Sequence, residues 1–160
     1  MRVIVLLFFA LSSFAQNNNQ RLAYQYYLDG DYEKAIVLYE EINKKNFYLN
    51  TYSPYFNSLI FSNKLSQAEK IAKKQFSKNN TRLNFLADII IAQFKLNKKN
   101  QYSFNLKKLL RLINKRNSQT IQVANRFQFF ELYSISLEIY DKSHQELPTH
   151  YLEESEILLK

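Results

Sequence analysis

The residue types that most often carry catalysis or bind metal are sparse in this 160-residue chain. The sequence has no cysteine, and its two histidines, His144 and His150, stand six residues apart beside Pro148. A thiolate nucleophile and a cysteine-based metal site are therefore excluded, and the histidine spacing does not fit the H-E-x-x-H pattern of a zinc protease. We predict that both histidines lie at the surface and that the chain binds no metal.

The acidic residues near the end of the chain also lack the setting that acid–base catalysis needs. Glu153, Glu154 and Glu156 are close in sequence, but paired catalytic carboxylates require a desolvated cleft, and a charged helix face explains this pattern better. A single glycine in the whole chain rules out a glycine-rich phosphate loop. We therefore expect no catalytic residues, no enzyme activity, no cofactor and no small-molecule substrate.

The first residues have the pattern of a secretory signal peptide. Arg2 precedes an apolar run from Val3 to Leu11, and the small residues Ser13 and Ala15 fit a cleavage site after Ala15. The run is shorter than the roughly 20 residues that span a bilayer. We expect residues 1–15 to be removed on export to the periplasm or cell envelope, which leaves no transmembrane segment. The alternative is a permanent membrane helix.

Composition favours helices in the rest of the chain. Apolar residues make up 46% of the sequence, but one glycine and two prolines are too few for the many turns of a sheet protein. One apolar stripe with helical spacing consists of Tyr32, Ala35, Ile36, Tyr39 and Ile42. Gly30 separates this helix from a shorter one before it, because glycine adopts a positive φ past a helix end without steric cost. Asp31 can then cap the following helix.

The same pattern returns along the chain at a nearly constant interval. Asn63, Asn97 and Glu131 follow Gly30 in steps of about 34 residues each. Asparagine is the next best residue after glycine at positive φ, and apolar residues with helical spacing flank each of these turns. We therefore predict four helix pairs and a remainder that opens a fifth pair or forms a partial cap. The pairs cover 16–48, 49–82, 83–116 and 117–150, and the remainder is 151–160.

Polar residues in the second and third pairs lead to two further expectations. Ser66 with Glu69 predicts a capping box at the start of the second helix of the second pair. Gln93 interrupts the apolar stripe of the third pair, so the pattern is weakest there.

These residues resemble the tetratricopeptide repeat family, whose units of about 34 residues form helix-turn-helix pairs. The positions that match the small, turn and aromatic positions of the family are Ala23, Gly30, Tyr32, Ala35 and Tyr39. The resemblance implies an all-α fold, a right-handed α-solenoid of antiparallel helix pairs. The sequence departs from the family at Phe56 and Ile90, where a small residue is usual, and at Glu131, where glycine is usual. The alternative is another all-α bundle of helix pairs.

In the resembled family, the first helix of each unit lines a concave groove that holds a peptide or a partner helix. The resemblance therefore implies a non-enzymatic protein–protein interaction scaffold or adaptor. Carried onto this register, the candidate partner-binding residues are Gln20, Tyr24, Tyr27, Asn57, Phe61, Lys95, Asn125 and Phe129. Amide groups can hydrogen bond to a peptide backbone, and aromatic rings offer rigid contact area. The alternative is that Tyr27 and Phe61 simply pack between units.

The formal net charge of +8 raises the question of an acidic partner. Basic residues lie on one side of the second helix of the third pair: Lys107, Lys108, Arg111, Lys115 and Arg116. A solvated face is the usual meaning, and nucleic acid is not the expected partner, because most aromatic residues fall in the core stripes. The second hypothesis about function is that the chain is a structural N-terminal segment of a longer repeat protein whose functional site lies elsewhere. The third is that this basic helix face binds an acidic or nucleic-acid partner.

Overall fold

The computed structural model describes residues 18–45, 48–113 and 119–143. Residues 18–28 form helix α1. The helices that follow are α2 (Tyr32–Lys45), α3 (Leu49–Phe61), α4 (Leu65–Lys78), α5 (Leu83–Lys95), α6 (Lys99–Leu112), α7 (Thr120–Phe129) and α8 (Tyr133–Ser143). The described ranges contain no strand, so the predicted all-α class is confirmed.

The predicted turn residues all have the left-handed backbone conformation. Their φ angles are +77° at Gly30, +54° at Asn63, +56° at Asn97 and +63° at Glu131. In the first turn, the Asp31 N–H donates to the Tyr26 carbonyl at 2.8 Å and the Gly30 N–H to the Tyr27 carbonyl at 3.3 Å. The corresponding two bonds close each of the other three turns, at 2.7 to 3.0 Å. This pairing is the Schellman motif, which satisfies the last carbonyls of a helix.

The start of α2 also follows from its sequence. Asp31 precedes the helix, and its carboxylate accepts hydrogen bonds from the Lys34 side chain, at 2.5 Å, and from the Lys34 backbone. These bonds hold the pKa of Asp31 below its ordinary value. The predicted cap is therefore present, and the chain turns directly from α1 into α2.

The chain divides after Lys64 into two compact units. In the first unit, α2 packs against α3. The predicted stripe of α2 is buried: Ala35 is 0% exposed and Tyr39 is 1% exposed. The ring of Tyr39 lies 5.8 Å from that of Tyr55, centroid to centroid. Phe56, which replaces the small residue usual in the resembled family, is 0% exposed and so fills the core of this unit.

In the second unit, α5 occupies the centre. It packs against α4, α6 and α7, and α7 packs against α8. This position explains its nearly continuous apolar sequence, because a helix covered on several sides cannot keep a broad polar face. Ile90 and Ile91 on α5 and Leu109 on α6 are each 0% exposed. Alanines 68 and 72 on α4 are also 0% exposed.

Candidate partner-binding surface

Four aromatic side chains of the first unit form a continuous row. The ring centroids of Tyr24 and Tyr27 are 6.0 Å apart, those of Tyr27 and Tyr32 are 6.2 Å apart, and those of Tyr32 and Phe61 are 4.9 Å apart. Tyr24 and Tyr27 share one face of α1 because they are three residues apart. Tyr24 is 50% exposed and Phe61 is 43% exposed, so both ends of this aromatic row offer ring surface to solvent.

Asn57 fixes the middle of the aromatic row. The residue is only 4% exposed, and its Nδ2 donates a hydrogen bond to the Tyr27 hydroxyl at 3.0 Å. Its Oδ1 has no hydrogen-bond partner in the described part of the chain. Asn57 therefore lies beneath the surface and orients the Tyr27 ring, whereas the sequence suggests a residue that faces a partner directly.

Gln20 and Tyr24 line a small cleft at the N-terminal ends of α1 and α3. The cleft has a volume of about 200 Å³ and is lined by Gln20, Arg21, Tyr24, Tyr39, Asn50, Thr51 and Pro54. The Tyr39 hydroxyl is buried and, among the described residues, has no hydrogen-bond partner. Burial, assisted by the nearby Tyr24 and Tyr27, raises the pKa of this hydroxyl. The phenol stays protonated at neutral pH and can donate a hydrogen bond to an acceptor.

The remaining candidates belong to the second unit. Lys95 ends α5 and is exposed. Asn125 is exposed on α7, where its Oδ1 accepts a hydrogen bond from the Tyr140 hydroxyl of α8 at 2.8 Å. Phe129 is 49% exposed, and its ring meets the edge of Phe130 at 5.0 Å. Phe129 thus offers aromatic surface, while Asn125 also joins α7 to α8.

Sequence reasoning misses several residues of this surface. The helical spacing places Tyr32 only in the core stripe of α2, yet its ring bridges Tyr27 and Phe61. Arg21 and Asn50 line the cleft beside Gln20. The helical spacing from Arg21 to Tyr24, and from Asn50 to Pro54, could have identified the cleft-lining faces of α1 and α3.

Glu69 is a buried carboxylate of the second unit and is fully engaged in structure. Its Oε2 accepts from Lys98 Nζ at 2.5 Å, and its Oε1 accepts from Gln93 Nε2 at 3.0 Å and lies 2.5 Å from Lys73 Nζ. The predicted capping box is wrong, because Ser66 lies inside α4 and Glu69 bonds to other helices. Burial alone would raise the pKa of Glu69, but hydrogen bonds from Lys73, Lys98 and Gln93 outweigh it and lower the pKa to about 2.

Asp88 is a second buried carboxylate among the described residues of this unit. It is 1% exposed, and its Oδ1 lies 2.6 Å from Arg126 Nε, which joins α5 to α7. The same pair of helices is joined by the Leu83 N–H, which donates to Gln119 Oε1 at 2.9 Å. Asp88 and Glu69 each have a basic partner, so neither has the vacant, desolvated setting of a general base.

No metal centre is visible among residues 18–45, 48–113 and 119–143, where no three His, Cys, Asp or Glu side chains gather to hold an ion. Several features predicted from the sequence lie outside these ranges: the two histidines, residues 1–15 with their predicted cleavage site, Lys115, Arg116 and residues 151–160. None of the described helices has the length and apolar character that crossing a membrane requires.

Comparison of the chain with protein-family models finds no match, and comparison with curated protein sequences finds none either. The resemblance to tetratricopeptide repeats therefore depends on the residue pattern alone.

Proposed function

We propose that the chain is a non-enzymatic scaffold of the tetratricopeptide type that binds a peptide or helix of another protein. The observation that carries the proposal is the aromatic row of Tyr24, Tyr27, Tyr32 and Phe61, supported from beneath by Asn57. Partly exposed aromatic rings held in place by buried contacts provide contact area at a low entropic cost, which is typical of binding hot spots.

The repeated turns support a solenoid of helix pairs. Four positive-φ residues with the same pair of closing hydrogen bonds recur at nearly equal intervals along the chain. Within the second unit, α5 also contacts α7, the first helix of the next pair. Stacked pairs of this kind place their first helices along one side, where an extended partner can bind.

The proposed place of action is the periplasm or cell envelope. The support is the signal-peptide pattern of residues 1–15, which combines a basic residue, a short apolar run and small residues before the cleavage site. N-terminal sequencing of the exported protein should give Gln16 as the first residue, and a retained Met1 would contradict this part of the proposal.

The experiment captures partners from an envelope extract with the wild-type chain and measures the affinity of the captured partner. Tyr24→Ala combined with Phe61→Ala should lower that affinity by at least about tenfold, because both rings are exposed ends of the row. Lys107→Ala combined with Arg111→Ala is the matched control on a different helix and should change it little. Moderate salt should also have little effect, since an aromatic interface depends weakly on ionic screening.

Binding that depends on salt and on the two cations, but not on the aromatic row, would overturn the scaffold proposal. Far-UV circular dichroism on each variant tests that the helices are retained, so a loss of binding can be assigned to the surface.

A further inference from the structure

Helix α6 presents a second surface, which the aromatic row does not involve. Phe104, Lys107, Lys108, Arg111 and Leu112 recur at helical spacing, so they lie on one face of the helix. All are exposed, and together they line a cleft of about 280 Å³. These five residues are called the α6 face below.

Among the described residues, helices α4 and α6 offer no exposed carboxylate to balance the positive charge of the α6 face. From Lys99 to Leu112 the helix contains no acidic residue. Helix α4 of the same unit adds exposed lysines at positions 70, 74 and 78, and its one carboxylate, Glu69, is buried and paired with Lys73 and Lys98. Lys108 Nζ lies 4.9 Å from the ring centroid of Phe76 on α4, so side chains of the two helices meet on this side of the unit.

Apolar side chains stand at both ends of the basic stripe. Phe104 is 71% exposed and Leu112 is 43% exposed. A helix face whose only role is solubility does not need large apolar side chains, because exposing them to water is less favourable than burying them in the core. Cations flanked by apolar side chains on one helical face fit a surface that combines anionic groups with hydrocarbon.

A lipid surface fits this chemistry better than nucleic acid does. Single-stranded nucleic acid is bound by cations interleaved with several aromatic rings that stack on bases. The α6 face has one ring, Phe104, and its other apolar member, Leu112, cannot stack. A helix face that combines cations with apolar side chains lies in the membrane interface, where phosphates and hydrocarbon meet.

We propose that the α6 face docks onto a membrane surface that contains anionic lipids. Lys107, Lys108 and Arg111 contact lipid phosphates, and Phe104 and Leu112 enter the headgroup region. This activity is separate from the partner binding assigned to the aromatic row.

The test uses a local reporter in the full chain, because the apolar residues Val3 to Leu11 could themselves enter vesicles. The chain has no tryptophan, so Phe104→Trp introduces a single indole on the α6 face and keeps an aromatic side chain there. Its emission should shift to shorter wavelength with vesicles of phosphatidylcholine and phosphatidylglycerol, and should stay unchanged with phosphatidylcholine alone. The matched control is Ile121→Trp on α7, where Ile121 is 46% exposed; its emission should not shift.

A second measurement removes charge from the reporter protein. Lys107→Gln with Arg111→Gln should lower the vesicle partition coefficient by about 25-fold, since each cation near an anionic surface contributes about fivefold. Arg21→Gln with Lys44→Gln removes the same net charge from exposed positions of the first unit and should change the coefficient less than about threefold. Partner capture should be unaffected by the α6 substitutions, which separates this proposal from the scaffold proposal.

An unshifted Phe104→Trp reporter in the presence of anionic vesicles would overturn the inference. Equal losses from the two charge-removing pairs would also overturn it, because net charge alone would then explain binding. Binding of a single-stranded DNA oligonucleotide that is lost in Lys107→Gln with Arg111→Gln, without a vesicle-induced shift of the reporter, would assign the α6 face to nucleic acid instead.

Discussion

Replacement of Glu69 by glutamine should destabilise the second unit in a pH-dependent way. Glu69 is 5% exposed, with Lys73, Lys98 and Gln93 bonded to its carboxylate. Its pKa falls from the ordinary value of 4.5 to about 2 in the folded chain. At about 1.4 kcal/mol per pKa unit, the charged form contributes about 3 kcal/mol to the free energy of unfolding at neutral pH.

The sign of the pH dependence follows from the lowered pKa of Glu69. Because the unfolded chain binds this proton more readily, the contribution is fully present above a pH of about 4.5 and is lost as the pH falls towards about 2. Urea denaturation followed by circular dichroism should show wild type more stable than Glu69→Gln by about 3 kcal/mol at pH 7 and by about half that at pH 3.

The matched control for this experiment is Glu138→Gln on α8, since Glu138 is exposed and belongs to the same unit. We expect it to change the free energy of unfolding by less than about 0.5 kcal/mol at either pH. A Glu69→Gln cost below about 1 kcal/mol at pH 7, or a cost that does not change between pH 7 and pH 3, would refute the reasoning.

Other substitutions probe packing and turns. Gly30→Ala should lower the free energy of unfolding by about 1 to 2 kcal/mol, because φ at this position is +77°. An added Cβ meets nothing within 4 Å, so the loss comes from backbone strain alone. A thermal midpoint equal to that of wild type would contradict this. Ala35→Leu should lower the free energy of unfolding by roughly 1 to 3 kcal/mol, because the larger side chain overpacks the core. The control Val37→Leu, at a position that is 56% exposed, should leave it unchanged. Equal denaturation midpoints for the two variants would place Ala35 outside the core. Asp88→Asn should lower the free energy of unfolding by roughly 3 kcal/mol, because it breaks the buried ion pair with Arg126. A double-mutant cycle with Arg126→Gln measures the coupling energy of the pair, and a coupling energy of zero would contradict this prediction.

Three of the four turns could be predicted from residue type, because some residues tolerate a positive φ far better than others. Gly30, Asn63 and Asn97 are residue types that tolerate this conformation. Glu131 is not, and only its position one repeat interval after Asn97 identifies it. Its φ of +63° shows that the repeat spacing carries information which the residue type lacks.

The buried polar contacts could not be predicted, because their partners are distant in sequence. Gln93 looks like a break in an apolar stripe, yet its Nε2 donates to Glu69, 24 residues away, and its Oε1 accepts from Asn105, 12 residues away. Which polar side chains meet is decided by how the helices pack, and helical spacing does not encode that.

Helical spacing predicts which side chains share a face of one helix, but it does not predict contacts between helices. The spacing of Tyr24 and Tyr27 places them on one face of α1. The contact of Tyr32 with Phe61 joins α2 to α3, so it becomes visible only once those helices are packed together. Helical spacing places Asn57 on α3, but its burial depends on the tyrosine that lies over it.

The four turns share one backbone geometry but use three residue types, glycine, asparagine and glutamate. They therefore offer four equivalent points at which the same kind of perturbation can be applied to successive helix pairs. Glycine at position 63, 97 or 131 would relieve strain in one turn, and alanine at position 30 would add it, without removing a core contact. If unfolding remains a single transition in every variant, the pairs are strongly coupled; if one variant separates the transition into steps, the coupling between neighbouring pairs can be measured directly.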